Sequence, residues 1–322
     1  MAAPSGTFTL YDAKGIREDL ADQIYSISPT ETPFVSNIGK RKVKQSFYEW
    51  QTDDLAAAVT TNAKVEGDIV SATTITPTTR VGNYTQIMDK PFTISGTLEA
   101  TDRAGRKAEW AYQMAKKGKE LKRDMEKTFL STQVAVSGGN TTARKTAAFN
   151  SWLKTNTNNG NGTTGDYAYT ATPITARTAA TTGTIRTWTE TIFKDVVSQS
   201  WEEGGEPDMV MVGAFQKQRA SAFAGIADQR HEVGNGKARI IGSADIYVSD
   251  FGNLTFVPNR FVPTDLAYHI DRNYASVATL RPFHDEKLAK TADGENYVIR
   301  VEVGLQVDNE AAHGVARDLN LA

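Results

Sequence analysis

The sequence predicts an α+β fold with a projecting two-stranded arm, and three observations predict it. Residues 43–98 read as two long strands that carry few core residues. They run into a charged stretch, Thr101 to Thr132, whose apolar residues recur about every 3.6 positions, the period of a helix. Near the C-terminal end, Asn296 to Asp308 alternates apolar and polar side chains, as a half-buried strand does.

Residues 1–42 are predicted to form an N-terminal arm with a short helix. Ile16, Leu20, Ile24 and Ile27 make one apolar stripe that ends at Ser28-Pro29. A connector containing Pro29 and Pro33 then delivers Lys40, Arg41, Lys42 and Lys44 to the base of the projecting arm. In that arm, residues 43–100, the first strand from Val43 to Gln51 places Tyr48 and Trp50 on one face and Val43 and Phe47 on the other. The return, Ile75 to Leu98, is mostly Thr, Gln, Asn and Arg and contains Pro77 and Pro91. Proline cannot donate to a ladder, which confines it to edge strands and suits a ribbon whose strands are both edges. A turn is expected at Glu66-Gly67-Asp68. Strands of about twenty residues reach roughly 60 Å, and an isolated hairpin is marginal in water, so the arm needs support from another copy of the chain.

The helix expected within residues 101–136 has Trp110, Met114, Gly118, Leu121, Met125 and Phe129 as its stripe, a charged remainder, and a length of about 45 Å. Residues 137–186 are rich in Thr, Asn and Gly, a composition that cannot bury a core, and read as an insertion anchored by Phe149, Trp152 and Leu153. Next, Thr187 and Glu190 make a capping-box pattern for a helix through Trp201 that stops at Gly204-Gly205. Asp208 to Val212 reads as a buried strand and Ala214 to Ala224 as a helix. Strands are expected at Ala238 to Ile241, Asp245 to Val248, Leu254 to Val257, Ala267 to Ile270 and Ala275 to Leu280.

A net charge of -2 argues against a protein whose main affinity is for nucleic-acid phosphate, and the absence of cysteine excludes disulfides and thiolate chemistry. The sequence shows no export signal and no apolar run of membrane-spanning length. Gly160 to Gly165 fits GxGxxG, but its flanks form neither the strand nor the helix that a dinucleotide site requires. Gly234-Asn235-Gly236-Lys237 lacks the spacing of a phosphate loop. His231, His269, His284 and His313 lie far apart, and His284-Asp285-Glu286 reads as a solvated turn at a strand exit. No catalytic, cofactor or metal site is predicted. Asp53 and Asp54 on an exposed arm suit charge contact with a partner better than acid–base work. The basic residues of the long helix, interleaved with acids, suit an intersubunit face better than a nucleic-acid surface. The predicted intersubunit residues are therefore Tyr48, Trp50, Asp53, Asp54 and Glu66 from the arm, with Arg106, Lys116, Lys119 and Arg123 from the helix.

Several stretches carry a family likeness. Thr32-Pro33-Phe34 with Ser36-Asn37-Ile38-Gly39, then Glu49-Trp50-Gln51-Thr52-Asp53-Asp54-Leu55-Ala56-Ala57, then Glu66-Gly67-Asp68, resemble the SU10-like major head proteins of tailed bacteriophages. Arg144 through Trp152 to Asn156, and Glu202 to Asp208, are similar to the same family. The resemblance implies an HK97-like capsid fold, in which an N-arm, an extended loop, a spine helix, a peripheral domain and an axial domain build hexamers and pentamers of an icosahedral head enclosing double-stranded DNA. On that reading residues 1–42 are the N-arm, 43–100 the extended loop, and 101–136 the spine helix of the peripheral domain. Residues 137–186 are an insertion, 187–280 the axial domain, and 281–322 the return strand to the peripheral domain with the C-terminus.

The same resemblance implies a virion protein assembled in the host cytoplasm, with a portal protein as partner and no membrane. Separate scaffold and decoration proteins are options, and packaged DNA is met by non-specific proximity only. The short N-arm implies no large N-terminal scaffolding segment. A loop-lysine cross-link of the kind some relatives form is not assigned to Lys64 or Lys90, because nothing local marks either as activated. An encapsulin-like nanocompartment shell around a cargo enzyme is the alternative within the same fold. A hydrolase or lyase using the His284 region and a Thr-rich surface adhesin are the alternatives from other classes.

Overall fold

The computed structural model describes residues 30–69, 74–101, 108–164, 166–167, 175–223, 245–290 and 292–320. The expected N-terminal helix, Arg106, the strand at Ala238 to Ile241, and the Gly234 to Lys237 stretch fall outside these residues.

Strand β1 (Gly39–Lys42) follows a five-residue helix, α1 (Pro33–Asn37), and leads into the hairpin strands β2 (Phe47–Thr52) and β3 (Thr79–Tyr84). Strand β4 (Gln86–Ser95) comes next, then the short helix α2 (Gly96–Ala100) and the long helix α3 (Glu109–Phe129). Helix α4 (Phe149–Trp152) and strands β5 (Thr157–Asn158), β6 (Asp166–Tyr167) and β7 (Ala176–Thr178) precede α5 (Glu190–Glu202), β8 (Met209–Val212) and α6 (Ala214–Ala220). The chain ends with β9 (Ile246–Ser249), β10 (Gly252–Pro258), β11 (Ala267–Ile270), β12 (Ala275–Leu288), β13 (Gly294–Val307) and β14 (Gly314–Ala316).

The four-stranded sheet has the order β1-β12-β13-β4. Strand β13, inside the sheet, turns Val301, Val303, Leu305 and Val307 into the core, but Glu302, Gly304 and Gln306 on its other face are buried as well, so this part of the strand is covered on both sides and not half-buried as its alternation suggests. Against it lies β4, paired from Gly294↔Ser95 to Val303↔Gln86. Residues 86–95, expected as the arm's return, therefore belong to the sheet, because Met88 and Ile94 find burial there that a free arm denies them. Pro91 is tolerated because β4 is an edge. Strand β12 runs to Leu288, past the expected end at Leu280, with register shifts on both sides of Arg281. His284 thus sits inside a strand, its Nδ1 3.0 Å from the Pro282 carbonyl, and not in a turn. Helix α3 crosses this sheet with Leu121, Met125 and Phe129 buried beneath it, and Gly118 faces Ile299. Its 21 residues span about 32 Å rather than 45 Å. Residues 96–100 form a separate helix capped by the Ser95 hydroxyl.

The six-stranded sheet has the order β5-β14-β11-β8-β10-β9. Strand β8 is buried on both faces. Met209 and Met211 enter the core shared with α3, while Val210 and Val212 meet Phe193, Val196 and Val197 of α5. The cap of α5 is Thr189, whose hydroxyl accepts from the Ile192 amide, and not Thr187. The helix ends at Gly204, which takes φ +88, a conformation cheap only for glycine. The Thr/Asn/Gly-rich stretch anchors as expected, with Phe149, Trp152 and Leu153 in the core. It also supplies β5 to the six-stranded sheet, as does β14 from the C-terminal stretch. Gly160 and Gly162 of the GxGxxG stretch serve close packing against the backbone of residues 181–184, and the Asp318 carboxylate accepts from the amides of Gly160 and of Gly183 opposite, each at 2.8 Å.

Two histidines are wholly buried between these layers. His313 accepts from the Asp271 amide and faces the Phe149 ring, whereas neither nitrogen of His269, packed on Phe193, has a partner among the described residues. Burial pushes His269 down to about 3 and His313 down to about 4. Both are neutral in the folded chain above those values, while the unfolded chain takes up protons from about pH 6.5 downward. The stability they allow is complete above that pH and is lost as pH falls towards the folded values. At pH 5 the loss is about 2 kcal/mol for each. Thermal melts between pH 7 and pH 5 are expected to show this decline, and His269→Leu to flatten it.

Candidate functional site

The hairpin β2–β3 leaves the body at a root that is locked from both strands. Tyr48 donates its hydroxyl to the Leu305 carbonyl at 2.8 Å, and the Asn83 amide donates to the same carbonyl at 2.6 Å. Asn83, fully buried, also donates to Thr146 Oγ1 and accepts from the Ala147 amide, while Thr146 accepts from the Leu305 amide. Every polar atom of this cluster is used, which is why a buried asparagine is tolerable there. Gly304 is required: a Cβ on it would lie 2.5 Å from the Tyr48 hydroxyl. Burial holds that hydroxyl protonated, well above the ordinary tyrosine range. Beside it the Trp50 indole donates to the Asp308 carbonyl at 3.2 Å and packs on Trp152 with ring centroids 5.6 Å apart.

Tyr48 and Trp50, predicted as intersubunit contacts, are therefore corrected. They share one face of β2 as expected, but that face turns into the subunit's own core, because Leu305, Asp308 and Trp152 supply the partners that two amphipathic aromatics need. Beyond Thr52 and Thr79, the last paired residues, the arm changes character. Leu55 is 100% exposed, and Val59, Val65, Ile69 and Ile75 lie between 65% and 89%. The turn is where the sequence places it, with Gly67 at φ +85 and the Asp68 amide donating to the Val65 carbonyl. Asp53, Asp54 and Glu66 are exposed along this segment.

On α3, Lys116 and Lys119 are exposed, and Arg123 is part-buried with its guanidinium over the Phe261 ring at 5.8 Å. The structure leaves the arm's acids and the helix's lysines on the surface and does not bring them together within one subunit. Two buried carboxylates that sequence reasoning missed hold the body beneath them. Glu126 on α3 accepts from the amides of Phe34 at 2.7 Å and Val35 at 2.8 Å, and from Asn259 at 2.6 Å. It joins the N-terminal connector, the helix and the six-stranded sheet, and burial raises its pKa against those three donors. Glu302 on β13 accepts from Thr85 Oγ1 at 2.9 Å and Arg281 Nε at 2.7 Å, and pairs with Arg144. Glu126 lies among the other charges of the helix and Glu302 at a polar position of an alternating strand, where an exposed carboxylate is the ordinary outcome, so neither carries a local mark of burial.

A body of two sheets and a long helix, from which a rooted arm carries bare apolar side chains into solvent, defines a subunit with apolar surface left uncovered by its own chain. Over residues 3–320 the chain matches the SU10 major capsid protein family. It is 33% identical over 351 residues to the major capsid protein of Escherichia phage Phieco32, covering 98% of this chain and 97% of that one. Its fold resembles the capsid structure of the cyanophage P-SCSP1u, with a TM-score of 0.62 at 10% identity, covering 95% of this chain and 93% of that one. The capsid of a native GTA particle gives a TM-score of 0.62 at 12% identity, covering 96% and 97%. The chain belongs to the SU10 major capsid protein family and has the HK97-like capsid fold. It is a structural shell subunit, and these comparisons favour the phage head over the nanocompartment.

The root cluster is testable in the isolated subunit. Asn83→Ala leaves several buried groups without partners and is expected to cost roughly 3–5 kcal/mol, against about 1–2 kcal/mol for Tyr48→Phe, measured by urea denaturation.

Proposed function

We propose that this subunit builds the hexamers and pentamers of an icosahedral head around double-stranded DNA, with its arm laid on the long helix of a neighbouring copy. On this reading residues 53–78 are the extended loop, α3 is the spine, the four-stranded sheet is peripheral and the six-stranded sheet axial. The observation that carries the reading is the row of exposed apolar residues from Leu55 to Ile75. Each gains about 1.5–3 kcal/mol on burial, and the subunit's own body offers it none. Asp53, Asp54 and Glu66 on the arm, with Lys116 and Lys119 on the helix, supply complementary charge, and Arg123 and Arg106 lie on the same stretch of chain. Tyr48 and Trp50 act one step back, by holding the root.

Contacts of this kind are individually weak. An arm that touches neighbours makes assembly cooperative, because each later contact forms at high effective concentration. A net charge of -2 limits repulsion among many copies in a closed shell. Expansion during packaging would rotate the two sheet bodies relative to one another while arm and helix re-dock. A portal protein at one vertex, a separate scaffold, and decoration proteins are the further partners this reading admits. Assembly in the host cytoplasm and packaged DNA met by non-specific proximity complete it.

The test follows from the pairing Thr52↔Thr79. Replacing residues 53–78 with an Asn-Gly turn closes the hairpin on its root. The product is expected to be folded and monomeric, with an unchanged melting temperature, and unable to form closed shells in electron micrographs. Intact shells from it would remove the arm from the assembly mechanism.

A further inference from the structure

An aromatic pair stands bare where α5 meets the β9–β10 hairpin. The turn of that hairpin carries Phe251 against Trp201 of α5, with ring centroids 5.0 Å apart. Both rings are at the surface, Trp201 52% exposed and Phe251 41%. Two hollows adjoin there, sharing Val197, Ser249 and Phe251. One, of about 550 Å³, lies beside Lys194 and Asp195; the other, of about 160 Å³, lies beside Glu206 and Asp208. Together they make one groove between α5 and the β9–β10 turn.

A single exposed ring is ordinary surface, but this setting is not. The charge around the groove is almost all of one sign. From Glu190 to Asp208 the chain carries six carboxylates against Lys194 alone, and Asp245 and Asp250 are the only charges from 245 to 254. The nearby cations are engaged, Lys194 with Glu190, Lys217 with Asp245 and Arg272 with Asp208. Glu202, Glu203, Glu206 and Asp250 are exposed and have no cation partner among the described residues. Asp195 accepts from the side-chain amides of Asn158 and Gln199. Asp208, on the wall of the narrower hollow, holds Arg272 through Oδ2, while its Oδ1 is buried and has no hydrogen-bond partner among the described residues. A buried acceptor without a donor is costly, and a cation brought by a partner supplies one.

We propose that this groove docks an extended basic segment of a second protein, one arginine or lysine of which lies on the Trp201 ring and reaches Glu206 and Asp208. A cation over an indole face is attracted by the ring's quadrupole, and the surrounding carboxylates draw it there. An apolar side chain beside it in the segment meets Phe251 and Val248, which line the wider hollow; Val248 is 70% exposed. Charge decides against the long stretches of this chain itself. Residues 53–78 of the arm carry four carboxylates against Lys64, and residues 1–29 carry four against Lys14 and Arg17, so the groove repels either. It repels nucleic-acid phosphate on the same ground. The arm reading makes no use of this face, so the two proposals stand or fall separately.

The test titrates the full chain into a short fluorescent peptide of arginine, leucine and serine and follows anisotropy. Trp201→Ala is expected to weaken binding at least about tenfold while leaving the circular dichroism unchanged, since that ring is half exposed. Glu206→Gln with Asp250→Asn should weaken it comparably and flatten its decline as salt rises. A counterpart peptide with glutamine for each arginine should not bind. Absence of binding by the wild-type chain overturns the proposal. So does binding that Trp201→Ala leaves unchanged, which is attraction by charge alone, and so does equal binding of the glutamine peptide, which is an apolar face with no preference for a cation. Sedimentation tests the other occupant: self-association that the arginine peptide displaces and Trp201→Ala abolishes would assign the groove to a second copy and equally overturn the proposal.

Discussion

Two donors from opposite strands of the arm, the Tyr48 hydroxyl and the Asn83 side-chain amide, converge on the Leu305 carbonyl, and the shape of the subunit follows from that convergence. The Leu305 carbonyl belongs to a buried strand paired along its length with β12, so both arm strands are fixed at their base while the hairpin beyond them is free of the body. The cluster is satisfied throughout, because Thr146 and Ala147 take up the remaining valences of Asn83. Gly304 sets the distance: any side chain there would push the tyrosine away and unseat the first strand. A projecting arm needs such a base, since an isolated ribbon pays its full ordering entropy with little apolar burial in return.

The two buried carboxylates do related work deeper in the body. Desolvating a carboxylate is expensive, and each of these recovers the cost by accepting from several donors at once. Glu126 collects amides from the N-terminal connector and an amide side chain from the loop after β10, so one group on the helix registers three parts of the chain. Glu302 gathers Arg144, Arg281 and Thr85 at the irregular part of β12. Between them these two groups tie the helix to the N-terminal connector and the base of the arm to β12 and β13. A surface held in place by such ties gives up less binding energy to ordering when it meets a partner.

Much of this was legible in the residues. The second half of the α3 stripe, Leu121, Met125 and Phe129, the inward valines of β13, the buried run at β8 and the turn at Gly67 follow local periodicity or a local backbone requirement and stand where such reasoning places them, whereas Trp110, at the start of the stripe, is exposed. The arm's poverty in apolar residues was equally plain, and its distal half is bare as expected. What misled was partnership. Residues 86–95 look like arm because apolar residues are scattered among polar ones and a proline interrupts them, yet Met88 and Ile94 find burial with β4 seated against β13, a strand some two hundred residues away. Tyr48 and Trp50 were recognised as one face, but nothing near them in sequence says whether that face meets a neighbour or home. His284 reads as a turn because of Arg281-Pro282, and the register shifts of β12 absorb that irregularity within a strand.

By itself, then, the sequence determined the long helix and several of the strands, which of their faces are apolar, and that one long segment has too little apolar surface to fold alone. Those properties depend on side chains within a turn or two of each other. The tertiary structure alone decided that Asn83 meets Leu305, 222 positions away, that Glu126 meets Phe34 across 92, and that β1 pairs with β12 from Gly39↔Ser276 to Lys42↔Thr279. Such meetings are set by strand order and register, which follow from the packing of the whole core and leave no periodic trace in the residues that take part.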